Sequence, residues 1–576
     1  MQKFFVVFLC LLSGLIVSGA EFTAGKLSES FSVYYRDGLS EKEALALAEG
    51  TAPEGCTPVT AVPENGFVDL AALLKKKKLA EKTTALVSMT YTAESDGKAL
   101  FGVGAECWMV CYINGKRIHA QPLGNMVRPV SVYGEPFSAA VQKGENKIVL
   151  LVQSATSGWS VAFAPLTRAQ MNRGQSPDFR PNPWITHSAV GTATVNFITK
   201  APAIAFVEYR MKGETSWQRE YELLGGQPRH DLTKHTIVLT GLKPDADYEY
   251  RCGAKQKAHG GKEIVGRVRT FRSFTDQPVD FKMFYISDTQ FPADRRIGLL
   301  KNYFKNCAAG EADILIHGGD IYNYFFDAAP VYLDSFLDVV VSALPDRSQT
   351  IAVTRGNHEY WGYESQEFFR YFGGRENKSY GMFRQGNVCF ILLDSGDDRG
   401  YNPKSPWHAR NFTEKLMQEQ REWLTEAVTK PEFQTATFRV VLLHSPGNEP
   451  YMGESIRKMT DGILTGSAPA HKVQLWICSH THRYSRSAEP GKAVVRSFDE
   501  KTAVLDSPLL PHGVVVINDG PSFGGYDENC IMFQFRKDEI EAKAMTSDGN
   551  VFDHFSVLAD GTLKEHSTNL NKISRP

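Results

Sequence analysis

The chain has 576 residues, with 64 Lys and Arg against 65 Asp and Glu, for a formal net charge of −1. That length exceeds what one hydrophobic core organises, so several domains are expected. The charge balance argues against a nucleic-acid scaffold and against a protein held on an anionic membrane by a general basic surface. Residues 1–20 read as an export signal. Lys3 supplies the positive charge, residues 4–17 are apolar, and Ser18-Gly19-Ala20 offer small residues for cleavage. The apolar stretch is short for a bilayer, and no later segment is long and apolar enough to span one. An exported protein (periplasmic, cell-surface or secreted) without a transmembrane segment is therefore expected. Cys389 and Cys478 fall inside apolar runs that read as strands, and no cysteine spacing suggests zinc, so no disulfide framework is expected.

Residues 21–172 carry strand-like runs at 107–113 and 147–152, with Asn114-Gly115 as a hairpin turn. The stretch from about 101 to 163 resembles the galactose-binding-like jelly rolls appended to secreted hydrolases, which implies an all-β fold and a possible glycan partner. Trp108 and Trp159 read either as a sugar platform or, more simply, as core aromatics. The Lys75–Lys78 run reads as a solvated helix face, and 173–183 as a linker. Residues 183–276 alternate at period two. They resemble a fibronectin type III β-sandwich with Tyr248 or Tyr250 as a corner tyrosine, and imply a positioning module. From 278 to 560 strands alternate with helices: strands at 281–286, 313–316, 350–353, 388–393, 438–443 and 473–477, helices at 297–307, 331–341 and 413–428. Strands return from 513 onward to complete the second sheet of that domain.

Five segments in this last region end strands and carry chemistry. They are Ser287-Asp288-Thr289-Gln290, Gly319-Asp320, Gly356-Asn357-His358-Glu359, His444 and Ser479-His480-Thr481-His482. Open α/β sheets place ligands at such strand ends. Two divalent metals about 3.5–4 Å apart need one bridging carboxylate and a mixture of oxygen and imidazole donors. Asp320 is the bridging candidate. Asp288, Gln290 and His482 complete the first metal, and Asn357, His444 and His480 the second. His317 is not counted as a ligand.

The ordered set resembles the calcineurin-like metallophosphoesterase superfamily, nearest to purple acid phosphatases. Gly356-Asn357-His358-Glu359-Tyr360 and the His480-x-His482-x-Tyr484-x-Arg486 pattern carry that resemblance, which spans roughly 183–557. It implies a multidomain protein: an N-terminal all-β jelly roll, a fibronectin type III-like β-sandwich, then an α/β four-layer domain in which helices flank a β-sandwich. Two departures stand out. Gln290 replaces the superfamily's usual histidine, and Asn323 stands where purple acid phosphatases have a tyrosine ligand, with Tyr322 and Tyr324 out of phase. After His444 the family's substrate histidine is missing, and Pro450 stands near its place. Amide donors at the first site favour hard divalent ions; Mn, Mg, Zn and Fe all remain open.

The resemblance implies a hydroxide held by the metals attacking phosphorus in line, with His358 contacting phosphoryl oxygens or protonating the leaving oxygen. Asn357, His358, Tyr360 and Arg486 are the candidate substrate contacts; for Arg486 a structural salt bridge is the other reading. Glu359 either orients His358 or is an exposed structural carboxylate. The expected function is hydrolysis of phosphate esters. The alternatives are a narrow phosphodiesterase acting on nucleotides or phospholipid headgroups, and a carbohydrate-binding protein that has lost turnover.

Overall fold

The chain divides into residues 1–176 with 256–262, and residues 177–255 with 263–576. A computed structural model describes residues 22–570 except 77–82, 122–129, 131, 133–134, 155–157, 168–178, 181–182, 257–262, 374–375, 406–407, 409–410, 498–500 and 519–527. The export signal, Lys77, Lys78 and most of the 173–183 linker therefore lie outside the described residues. Among the described residues no helix is long and apolar enough to cross a membrane, and no disulfide joins the cysteines.

The first unit is built from a seven-stranded and a four-stranded antiparallel sheet around one core. Its longest ladder pairs Thr84–Ala93 with Gly144–Gln153, so that Val87 faces Leu150 and both enter that core. The hairpin turns at Asn114 and Gly115, both at positive φ (48° and 73°), as a tight two-residue turn requires. Trp159 is 1 % exposed and its indole N–H donates to the Val152 carbonyl, which makes it a core residue. The short helix Leu70–Leu73 ends before the lysine run, and Lys75 sits at φ 53°.

In the second unit, Trp184–Ala189, Thr192–Ile198 and Lys234–Leu239 face a five-stranded sheet across Ile185, Val195, Val207, Ile237, Tyr250 and Phe271. The Tyr248 hydroxyl accepts the Lys243 N–H five residues upstream (2.9 Å), the corner geometry. Tyr250 instead bonds Ser348 Oγ at 2.7 Å. The boundary near 277 is no gap. Ile185 pairs in parallel with Thr350, so one ten-stranded sheet runs from Lys234–Leu239 through Thr350–Val353 to Leu563–Thr568. Arg269, 1 % exposed, staples the junction by donating to Ser348 Oγ and to the carbonyls of Val341, Leu344, Pro345 and Arg347.

An eight-stranded sheet packs face to face on the central part of the ten-stranded one. Met283, Tyr285, Ile314 and Ile316 meet Phe390, Val440, Leu442, Leu475 and Val514 in that interface. These central strands are parallel and buried on both faces, which is why they read as continuous apolar runs. Helices cover both outer faces. Ala293–Asn306 turns Arg296, Leu299, Leu300 and Tyr303 inward, and Thr413–Ala427 turns Met417, Gln420, Leu424 and Ala427 inward, each at helical spacing. The helix expected at 331–341 opens as a wide π-type segment, Pro330–Leu337, before the α-helical Asp338–Ser342. Ser335 explains the widening: its hydroxyl bonds back to the Pro330 and Val331 carbonyls while accepting from Arg296.

Candidate metal centre

Each ligand-bearing segment follows directly on a parallel strand of one sheet or the other. Ser287-Asp288 follows Phe281–Ile286, and Gly318-Gly319-Asp320 follows Ile314–His317. Asn357 follows Thr350–Val353, His444 follows Phe438–Leu442, and His480 follows Leu475–Cys478. The two sheets thus deliver donors from opposite sides to one line of strand ends.

The backbone bends sharply to do so. Asp288 (φ 50°), Asp320 (56°), His480 (76°) and His482 (56°) are four of the eleven non-glycine residues at positive φ among those described. That region costs about 1 kcal/mol or more for a side chain with a Cβ, and it concentrates at functional sites. It also resolves the spacing of His480 and His482. A regular strand would put both on one face, whereas two left-handed residues send them to different donor groups.

Two groups of donors result, Asp320 with His444 and His480, and Asp288 with Asp320 and His482. Within each, one ligand atom per residue lies within 4.8 Å of the others, and Asp320 belongs to both. In the first group the Asn357 side-chain oxygen sits 3.1 Å from His444 Nε2 and 3.0 Å from His480 Nδ1. The far nitrogen of each ring is already committed: His444 Nδ1 to the Gly318 carbonyl (2.8 Å) and His480 Nε2 to Glu449 (3.0 Å). When those far nitrogens carry the protons, the inner ones present lone pairs. They face the Asn357 oxygen and, at 3.3 Å from His444, the Asp320 carboxylate. Lone pairs gathered about 3 Å apart are the arrangement of ligands around a shared cation.

The titration pattern has the same origin. Burial opposes a charge on His444, but Asp320 outweighs it and raises the pKa well above the usual value. Burial likewise opposes a charge on His482, and Asp288, 3.4 Å away, overcomes it. For Asp320, burial raises the pKa while the His444 and His358 rings lower it, with a net downward shift.

Gln290 is buried and its amide N–H donates to Asp320 Oδ2 at 2.6 Å, which leaves its buried carbonyl oxygen without a hydrogen-bond partner. An orphaned buried oxygen costs about 1–3 kcal/mol, so this atom fits a role as a cation ligand. His317 is fixed differently. Its Nε2 bonds Thr289 Oγ1 (3.0 Å), its Nδ1 accepts the Gly319 N–H (3.2 Å), and burial drives its pKa to about 3.

Beside the ligands, His358 is partly open to solvent. Its side chain is 18 % exposed, its Nδ1 is anchored 2.9 Å from the Asn323 carbonyl, and its Nε2 lies 3.8 Å from Asp320. The remaining expected contacts are placed otherwise. Glu359 is fully buried and neither orients the His358 ring nor faces solvent. It accepts the backbone N–H groups of Asp320 (2.8 Å), Ile321 (2.8 Å) and Gly356 (2.9 Å), tying two ligand loops together. Tyr360 is buried and its hydroxyl meets both oxygens of Asp394 at 2.9 Å. Arg486, fully buried, pairs with Asp553 (2.7 Å) and Glu565 (3.0 Å), and Tyr484 also donates to Asp553. The end of the His-x-His-x-Tyr-x-Arg pattern thus pins the histidine loop to Val551–Leu558 of the other sheet.

Two participants fall in segments, 397–406 and 447–466, that the sequence offers as sources of specificity without assigning any residue a role. Glu449 holds the His480 ring, and that hydrogen bond first of all keeps its carboxyl below the usual range. Its signal is the Glu-Pro step that opens helix Pro450–Thr460. Asp397 gathers Trp361 Nε1 (3.1 Å), His408 Nδ1 (2.5 Å) and Asn411 Nδ2 (2.6 Å). Nothing in the local sequence marks it.

Residues 281–484 match the calcineurin-like phosphoesterase family. No curated protein matches the chain. Solved structures similar to it include the purple acid phosphatase PPD1 isolated from yellow lupin (Lupinus luteus) seeds, at 14 % identity and TM-score 0.44, covering 82 % of this chain and 93 % of that one. PhoD is similar at 12 % identity and TM-score 0.44, covering 68 % of this chain and 94 % of that one.

Proposed function

From a calcineurin-like phosphoesterase domain at residues 281–484, we propose an exported enzyme that hydrolyses phosphate esters with two divalent ions, as purple acid phosphatases do but without their tyrosine ligand. The observation that carries this reading is Asp320, the one carboxylate common to both donor groups. Asp288, Gln290, His482 and Asp320 would hold one ion; Asp320, Asn357, His444 and His480 the other. Two such ions supply Lewis-acid polarisation of the phosphoryl oxygens and acidify water near neutral pH.

The chain's own residues do the rest. Glu449 and the Gly318 carbonyl fix the orientation of the two imidazoles, and Glu359 fixes the Asp320 and Asn357 loops relative to each other. With Nδ1–H donated to the Asn323 carbonyl, His358 turns its other nitrogen, Nε2, to the side of Asp320, and in the imidazolium form that nitrogen would donate to the leaving oxygen or a phosphoryl oxygen. Amide oxygens at positions 290 and 357 favour Mg²⁺ or Mn²⁺ over softer ions. The N-terminal apolar segment is the ground for export.

The test is metal content together with hydrolysis of a phosphomonoester and a phosphodiester, after chelation and under added Mn²⁺, Mg²⁺, Zn²⁺ or Fe. Two ions per chain are expected, with turnover that Asp320→Ala abolishes. One ion or none, with neither ester hydrolysed under any metal, would overturn the proposal.

A further inference from the structure

The loops that carry Asp320 and Asn357 also carry a row of aromatic rings that begins at His358 and emerges at the surface beyond Trp361. The His358 and Trp361 rings lie 4.0 Å apart, centroid to centroid. Tyr324 leans on Trp361 at 5.6 Å, Phe326 stacks on Tyr324 at 5.7 Å and 12°, and Tyr363 closes on Phe326 at 5.6 Å. Trp361 is 5 % exposed and its indole N–H is held by Asp397, so the base of the row is fixed.

The backbone explains why the outer rings face outward. Phe325 N–H donates to the Trp361 carbonyl (2.9 Å) and Glu364 N–H to the Phe325 carbonyl (2.8 Å), zipping the two loops together. With its backbone held on both sides, Phe325 is buried in the core, while Tyr324 and Phe326 emerge at 39 % and 52 % exposure. Gly362 permits the close approach: at φ 108°, a Cβ there would lie 2.4 Å from the Phe325 carbonyl oxygen.

Exposed aromatics are otherwise scarce. Of the six Phe, Tyr and Trp side chains exposed among the described residues, three (Tyr324, Phe326 and Tyr363) lie on the two loops that carry Asp320 and Asn357, and two more, Tyr401 and Phe412, stack on each other in the segment between Val388–Leu392 and Thr413–Ala427. An exposed apolar cluster confined to one rim marks a binding surface.

We propose that Tyr324, Phe326, Trp361 and Tyr363 form the leaving-group subsite, and that it selects phosphate esters whose alcohol carries a planar aromatic ring. This rests on the phosphoesterase reading above. His358 has Asp320 3.8 Å from its Nε2 and the Trp361 ring 4.0 Å from its own, so an ester whose phosphoryl group sits beside His358 and whose alcohol departs on the Trp361 side would lay a ring along the row. Water adds to phosphorus, the ester P–O bond breaks, and the alcohol leaves with a proton. A nucleoside and a simple aryl alcohol share this chemistry.

The test compares substrates with the same leaving oxygen, with and without a ring: adenosine 5′-monophosphate against ribose 5-phosphate, and benzyl phosphate against butyl phosphate, read as kcat/KM. Base stacking on aromatic side chains predicts a preference on the order of tenfold to a hundredfold for the ringed member. Phe326→Ala with Tyr363→Ala, both at exposed positions, should bring the ratio near one. A preference in the adenosine pair alone assigns a nucleoside; a preference in both assigns any planar ring. Equal efficiency in both pairs, or a ratio the double variant leaves intact, overturns the subsite while leaving the phosphoesterase standing. Binding of adenosine against ribose, followed by tryptophan fluorescence, needs no turnover. Were the chain to hydrolyse no ester at all, adenosine binding lost in the double variant would still uphold the rim, and no binding would remove it.

Discussion

Replacing Glu359 with glutamine keeps the shape of the side chain and breaks its electrical fit. One carboxylate oxygen serves Ile321 N–H, and the other serves both Asp320 and Gly356. Three donors and no acceptor converge, so an amide must turn its NH₂ toward at least one backbone N–H. The best orientation loses one charge-assisted bond and weakens two, worth about 2–4 kcal/mol together. Burial and the Asp320 charge already push the Glu359 pKa up, which removes part of the loss when the wild-type side chain is protonated. The assay is urea unfolding of metal-free and metal-loaded protein, with calorimetric titration of Mn²⁺. Glu359→Gln should lower the unfolding midpoint without metal and weaken Mn²⁺ binding, because the Asp320 and Gly356 loops lose their common anchor. An unchanged midpoint with a fall confined to kcat would refute the clamp, since that is the signature of a residue that only orients His358.

Glu449→Gln should reduce metal affinity by about 10- to 100-fold, measured by competition with a chelator, because the carboxylate fixes the His480 ring; an unaltered affinity would show the ring needs no such partner. Gln290→His supplies a nitrogen donor in place of an amide and should tighten Zn²⁺ binding by on the order of tenfold, read by the same competition. His235 gives a pH test away from the centre. Burial, then Lys234, lowers its pKa from 6.5 to about 4. A histidine depressed in the folded state contributes stability that is complete above pH 6.5 and lost as pH falls toward 4, roughly 3 kcal/mol at most. His235→Gln should flatten the slope of thermal midpoint against pH in that window, and a variant with the wild-type slope would assign the acid sensitivity elsewhere.

What could be read from the sequence was whatever is local. Continuous apolar runs named the buried parallel strands, and the residues just beyond them, Asp288, Asp320, Asn357, His444 and His480, are the ones the fold brings together. Partnerships across distant loops left no local trace. Asp553 meets Arg486 from a strand 67 residues away, and Glu359 reaches back to Asp320 across 39. A carboxylate looks the same in sequence whether it points at solvent or at three amides. The helix at 331–341 was legible as an apolar stripe, but its wide first turns depend on Arg296 reaching Ser335 from another helix. His317 is set aside as a ligand by its place inside a strand end, and its two hydrogen bonds, to Thr289 and Gly319, supply the partners that the sequence could not name.

The shared sheet changes what counts as a removable part. Thr350–Val353 has Ile314–His317 on one side and, on the other, Trp184–Ala189 through the Ile185–Thr350 pairing. A chain trimmed to begin at 278 would turn this inner strand into an open parallel border lined with unpaired amides, a ready template for another chain. The same cut removes Arg269, the guanidinium that donates to four carbonyls between Val341 and Arg347, three of which have no other donor among the described residues. The upstream sandwich is therefore a seam rather than a bead on a string, and a version begun at 278 should aggregate on expression where one begun before Trp184 does not.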